Sequence, residues 1–173
     1  MALLKTLYVL FFIEIGSQRV HLSVSTSKPD SVFVLQQARD LAMSFSEEQR
    51  SITLLIRNRD AKFSRSFDDA FASEGIRVVC TPIRAPSANA FAERWVETLR
   101  AECLDWLLIF GARHLDRVLR TCVKHYNQKR PHRGLQLLAP ESAAPVAAEL
   151  GVVLHVHRRD LLGGLIREYE SAA

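Results

Sequence analysis

Cysteine is scarce in this chain and follows no visible plan. Cys80, Cys103 and Cys122 are the only three in 173 residues, and their wide spacing offers neither a C-x-x-C pair nor a zinc pattern. An odd, dispersed set reads as buried reduced thiols of a cytosolic protein and excludes a disulfide framework. Long apolar runs are missing as well. The nearest approach, Leu7 to Ile13, is interrupted by Glu14, and no small-residue cleavage site follows it. It falls far short of the roughly 20 apolar residues a membrane span requires. The expectation is a buried strand in a cytoplasmic protein, with no membrane partner. Strong charge of either sign is absent: 23 Lys and Arg against 19 Asp and Glu leave +4 and a pI near 9.2. That mild basicity fits a nucleic-acid partner without demanding one. No internal repeat occurs, which excludes solenoids and arrays.

What is present reads as globular, with 48% hydrophobic and 24% charged residues. The length allows one domain with a full core, expected over residues 1–140, and a tail over 141–173. Leu7 to Ile15 is rich in β-branched and aromatic residues, Gly16-Ser17 is a turn signal, and Arg19 to Ser25 alternates as a returning strand. Asp30 or Ser31 caps a helix from about Val32 to Phe45. Ile52 to Ile56 and Ile76 to Cys80 are short apolar runs without alternation, the pattern of strands covered on both faces. A helix near Ser66 to Ser73 separates them. A long helix follows from Ala90 to about Phe110, stopped by Gly111, then another from His114 to Tyr126. Trp95 and Trp106 read as packing residues. Beyond a basic, proline-punctuated stretch (Gln128 to Pro140), a strand at Val152 to His157 and a Gly163-Gly164 break complete an α/β pattern.

Three segments carry a chemistry: "IRNRDAKF" (Ile56 to Phe63), "NAFAERWVETLR" (Asn89 to Arg100) and "HYNQKRPHRGL" (His125 to Leu135). In this order and spacing they resemble the catalytic core of DDE-type transposases and retroviral-like integrases, over roughly residues 7 to 140. The resemblance implies an RNase H-like fold, a mixed sheet flanked by helices. It also implies metal-dependent DNA cleavage and strand transfer, with three carboxylates on two Mg²⁺ or Mn²⁺ ions. Magnesium takes hard oxygen ligands, so amides replace carboxylates poorly. The closing "RRDLLGGLIREYE" looks like that of one bacterial insertion-sequence transposase group.

Carried over residue by residue, Glu93 matches the third acid, four residues after Asn89. Positions 89, 93, 97 and 100 fall within about 80° of arc on one helix face. Aligning Phe63 with the family's aromatic puts Asn58 in the second acidic slot, 35 residues before Glu93. Asp60 is the alternative metal ligand, displaced by about 6.6 Å of strand rise. The first acid belongs on a central strand ahead of Leu7, where no carboxylate stands; Glu14 reads as a solvated strand-end residue and not its replacement. The resemblance therefore implies a core truncated at its N-terminus and catalytically defective. Lys62, Arg84, Asn89, Arg94, Arg100, Lys129, Arg130, His132 and Arg133 are the residues expected to meet DNA, on phosphates and not base edges. In the Tyr126–His132 element, Tyr126 is expected to pack, Pro131 to end the helix, and Arg130 and His132 to brace the site or touch DNA. Two alternatives stay open: a non-catalytic protein that binds transposon-end or target DNA or pairs with full-length transposase or itself, and a weak one-metal nuclease using Asp60 and Glu93. Bacterial cytoplasm, with nucleoid association when DNA-bound, is the location implied.

Overall fold

The computed structural model describes residues 5–82, 89–142 and 156–171. The chain divides into two units, one formed by residues 1–10 and 23–93, the other by 11–22 and 94–173. Among the described residues every sheet is two-stranded: β1 (Phe11–Ile13) with β2 (Val20–Leu22), β3 (Leu54–Arg57) with β4 (Arg77–Cys80), and β5 (Val156–Leu161) with β6 (Ile166–Ser171). The first and last pairs are antiparallel and β3–β4 is parallel.

In the first unit, α1 (Ser31–Glu47) starts where the sequence places it. Asp30 accepts the Phe33 N–H at 2.8 Å, satisfying one of the donors that every helix start leaves open. Its apolar face, Val34, Ala38, Leu41, Ala42 and Phe45, is buried, and α1 packs against α2 (Arg65–Ala72). Phe63, Phe67 and Phe71 form a tilted-to-edge aromatic row with centroids 4.9 and 5.2 Å apart. The parallel register runs Leu54↔Arg77 to Arg57↔Cys80. One expectation fails here. Burial alternates along both strands, leaving Leu54, Ile56 and Val79 exposed on one face. An all-apolar run presents an apolar residue to both faces, but it does not say whether both will be covered.

In the second unit, α3 (Ala90–Glu102) opens inside the first and continues into α4 (Ala112–Gln128) through a short connection. The single long helix to Phe110 is therefore corrected. Cys103 leaves helical geometry at φ −140°, ψ −66°, a single 3₁₀ turn spans Leu104–Trp106, and the Trp106 indole N–H caps the Ala101 carbonyl at 2.8 Å. Gly111, at φ +86°, serves as the start of α4 and adopts a backbone that other residues enter only with strain. Among the described residues of this unit two apolar clusters stand out. Val20, Trp95 and Tyr126 collect Phe11, Ile13, Leu22, Leu99 and Val123; Cys103, Val118, Cys122 and Ile166 collect Leu104, Leu107, Ile109, Leu161 and Leu162. Cys103 and Cys122, read as separate thiols, lie side by side within this second cluster with their sulfurs in contact, and Cys80 stands apart from them. Trp95 is buried as expected, whereas Trp106 is exposed.

The segment expected as a tail contributes β5–β6, whose Ile166 enters that cluster; Val152 to His155 lies outside the described residues. Glu168, itself buried, lies 3.1 Å from His125 Nδ1.

Candidate functional site

The turn after β3 holds Asn58, Asp60 and Lys62 together. Asn58 follows the last strand residue, and its side-chain oxygen accepts the Asp60 N–H at 3.1 Å, a local turn of the kind asparagine favours. The Asp60 carboxylate is engaged in turn: Oδ1 accepts the Lys62 backbone N–H at 2.9 Å, and the Lys62 ammonium lies 3.0 Å from Oδ2. These bonds hold the Asp60 carboxyl below its ordinary range, the Lys62 backbone N–H acting most strongly. On either side, Arg57 grips Asp68 with two bonds of 2.7 Å and Arg59 donates to the Thr81 carbonyl at 3.0 Å. The turn is thus closed by its own side chains.

Asn89 precedes α3 and Glu93 lies in its first turn, both exposed. A carboxylate at a helix start is favoured by the macrodipole whatever its function. Arg94 and Arg100 follow on the exposed surface of the helix, Arg100 lying 3.6 Å from Asp105. Arg84 lies outside the described residues. Among the described residues no group of three or more His, Cys, Asp or Glu side chains is placed to hold a metal ion. The donor set gives the reason. Asn58 offers an amide oxygen already used by a backbone N–H, and the Asp60 carboxylate already faces an ammonium. These residues do not fit a pair of divalent cations.

The third segment forms a tight polar knot within the second unit. Asn127, buried in the α4 core stripe, donates to the Val20 carbonyl at 2.9 Å and accepts the Val20 N–H at 3.0 Å. Its side chain thereby pairs both backbone groups of Val20 at the start of β2. Tyr126 meets Trp95 edge-on at 4.6 Å and His132 edge-on at 4.5 Å. Arg130 lies over the Tyr126 ring and binds both Glu102 carboxylate oxygens, at 2.6 and 3.1 Å. His132 is buried, with Nδ1 3.1 Å from the Gln18 side-chain oxygen and Nε2 3.4 Å from the Tyr126 carbonyl. At Gly134 a Cβ would lie 2.6 Å from the Gln18 amide nitrogen, the far end of a flexible side chain that can turn aside. Lys129 pairs with Glu170 at 3.0 Å on the surface, and Arg133 is exposed. Glu14, at the hairpin turn, is held by Ser17 at 2.6 Å and by His21 at 2.9 Å.

Sequence reasoning missed Asn127 as a clasp, and missed Gln18 and Glu102 as partners. A visible signal existed for the first: a polar amide one residue past Tyr126, in a helical stripe that is otherwise apolar.

Burial pushes the His132 imidazole below its usual value of 6.5. The unfolded chain then takes up a proton that the folded one resists, so stability should fall as pH drops through about 6.5 toward the depressed folded value. Melting curves at stepped pH check this, with His132→Asn expected to flatten the slope in that window.

The sequence profile of the integrase core domain family matches residues 74–140. No curated protein matches the sequence. Among solved structures the chain is similar to the catalytic core domain of BIV integrase, at 13% identity and TM-score 0.56, covering 76% of this chain and 81% of that one. It is also similar to a chain of the simian T-cell lymphotropic virus intasome in complex with the PP2A regulatory subunit B56 gamma. There the identity is 16% and the TM-score 0.58, over 94% of this chain and 60% of that one. The α/β fold is that of integrase catalytic cores, the RNase H-like class.

Proposed function

We propose that this chain is a DNA-acting core of the integrase and transposase type, related to bacterial insertion-sequence transposases, in which the cutting chemistry is disabled and DNA holding remains. The observation that carries the reading is the turn at Asn58–Lys62. The second acidic slot is an amide whose oxygen already accepts the Asp60 N–H, and Asp60, two residues on, already accepts the Lys62 backbone N–H. One acid, Glu93, cannot hold two metals at the roughly 3.5–4 Å separation that phosphoryl transfer uses. The integrase core match over residues 74–140 and the basic side chains Arg94, Arg100, Lys129 and Arg133 support association with DNA. Of these, Lys129 is only surface-paired, and such a pair is weak enough to be exchanged for a phosphate. Its partners on this reading are DNA and another transposase copy, in the bacterial cytoplasm; no helix of the described residues is long and apolar enough to cross a membrane.

The test joins two measurements on one duplex. Fluorescence anisotropy should show binding that weakens linearly on a log–log salt plot, because each neutralised phosphate releases a counterion. The same duplex should stay uncut with Mg²⁺ or Mn²⁺. Nicking that EDTA and Glu93→Gln both abolish would overturn the proposal and favour a one-metal site on Asp60 and Glu93.

A further inference from the structure

A cavity of about 300 Å³ lies within the second unit, lined by α3 and α4 and by Ile166 of β6. That is the small end of the range for ligand sites, with room for one flat ring system. Aromatic side chains supply much of its wall: Trp95, Trp106 and Tyr126. Two observations point to a ligand. Trp95 is 2% exposed, yet its indole N–H finds no acceptor among the described residues. Buried donors are nearly always paired, so this one calls for an acceptor from outside the chain. Trp106, expected to pack, is instead exposed beside the cavity, while its own N–H is bound to the Ala101 carbonyl. The ring is thus held in place with most of its surface open, as a stacking platform is.

The far end of the cavity is polar. Glu102 lines it, and Arg130 fixes both oxygens of that carboxylate. A carboxylate has about four lone-pair sites, so Glu102 can still accept from a ligand N–H. Glu102 follows Trp95 by seven residues on α3, about 10.5 Å of helix rise. Allowing about 2.9 Å for each hydrogen bond, a ligand that reaches both spans roughly 5 Å. It is flat and aromatic, with an acceptor at one end and an N–H donor at the other. We propose that this cavity binds a purine base bearing an exocyclic amine. A ring nitrogen takes the Trp95 N–H, the amine donates to Glu102, and Trp106 stacks on the ring. A single pyrimidine ring is too short to serve both ends. A free nucleotide and a base turned out of a DNA strand offer the same ring; only the strand source rests on the DNA-acting reading above.

The indole N–H resonances of the isotope-labelled full chain test the proposal, the two signals being told apart with Trp106→Phe. Deoxyadenosine should shift the Trp95 signal saturably, as its N–H gains an acceptor. Deoxyinosine sets a carbonyl before the carboxylate and should bind roughly tenfold more weakly or worse, since a site built for a donor rejects a ligand without one. Thymidine should bind as poorly. Trp106→Ala should weaken deoxyadenosine binding about fivefold or more, with the circular dichroism spectrum unchanged. No shift of the Trp95 signal by deoxyadenosine overturns the proposal. So does equal binding of deoxyinosine or thymidine, or full binding by Trp106→Ala. Oligothymidylate carrying one adenine identifies the source. The same Trp95 shift, absent with plain oligothymidylate, supports a base held in a strand; nucleoside binding without it supports a free nucleotide. The nucleoside arm needs no DNA binding, so its failure is distinct from a failure of the duplex assay.

Discussion

Replacing Asn127 by alanine should destabilise the chain by about 2–6 kcal/mol, since it leaves two buried backbone groups of Val20 unpaired at about 1–3 kcal/mol each. Val20 is 2% exposed, so water cannot substitute for the lost amide. In a chain of this length each kcal/mol moves the melting temperature by about 2–4 °C. The shift should therefore be roughly 4–24 °C. Asn127→Asp should not rescue it: a carboxylate still accepts the Val20 N–H, but it faces the Val20 carbonyl without a donor and takes a charge out of water. Leu22→Ala, which removes only apolar contact from the same strand, provides the comparison. Urea unfolding of the three variants would check this. A loss under about 0.5 kcal/mol for Asn127→Ala, the range of an ordinary surface change, would show that the clasp does not hold β2.

Cleavage should return only when two repairs are made together. Asn58→Asp supplies one carboxylate, and a strand bearing an aspartate, fused ahead of Leu7, supplies another. Each alone leaves the metal pair short of a ligand, so each alone should give little. Groups that work as one unit are strongly non-additive, and the double repair should exceed the sum of the single ones by orders of magnitude. Lys62→Ala separates the remaining variable, since it takes the ammonium away from Asp60 while the backbone N–H of residue 62 stays in place. Single-turnover nicking rates in a two-by-two design, with and without Lys62→Ala, measure the coupling. Full activity from the fused strand alone would identify Asp60 as the true ligand and place the alignment two residues off.

Local signals carried most of the element boundaries. Asp30 caps α1 as its side-chain chemistry dictates, the Gly16-Ser17 turn closes the hairpin, and the parallel pair β3–β4 follows from two apolar runs flanking one helix. What escaped was set by partners distant in sequence. The end of α3 depends on the Trp106 indole reaching back to Ala101, and nothing in the helical periodicity of that stretch announces it. The same holds for the site. The preference for Asn58 over Asp60 in the second acidic slot rests on spacing to Glu93 alone, since the two residues share a strand face. The engagement of Asp60 by Lys62 was not legible, since a lysine two residues on is as often solvated as paired. Arg130 and His132 show the limit most plainly. Both were expected to brace the site or to touch DNA, and both are tied to protein partners, Glu102 and Gln18, that no motif connects to them.

The boundary between the two units is crossed at residues 10/11, 22/23 and 93/94, so neither unit is a continuous length of polypeptide. During synthesis this sets an order of events. The hairpin segment 11–22 leaves the ribosome ahead of the partner that completes it, Asn127, which lies 107 residues later. At about 5–20 residues per second the wait is roughly 5–20 s. Phe11, Ile13 and Leu22, which later pack beside Trp95 and Tyr126, spend that time without them. Contacts this far apart along the chain also slow the search once the whole polypeptide is free. The nascent hairpin is thus the natural client of a chaperone, and a ribosome stalled before Asn127 would carry it unfinished.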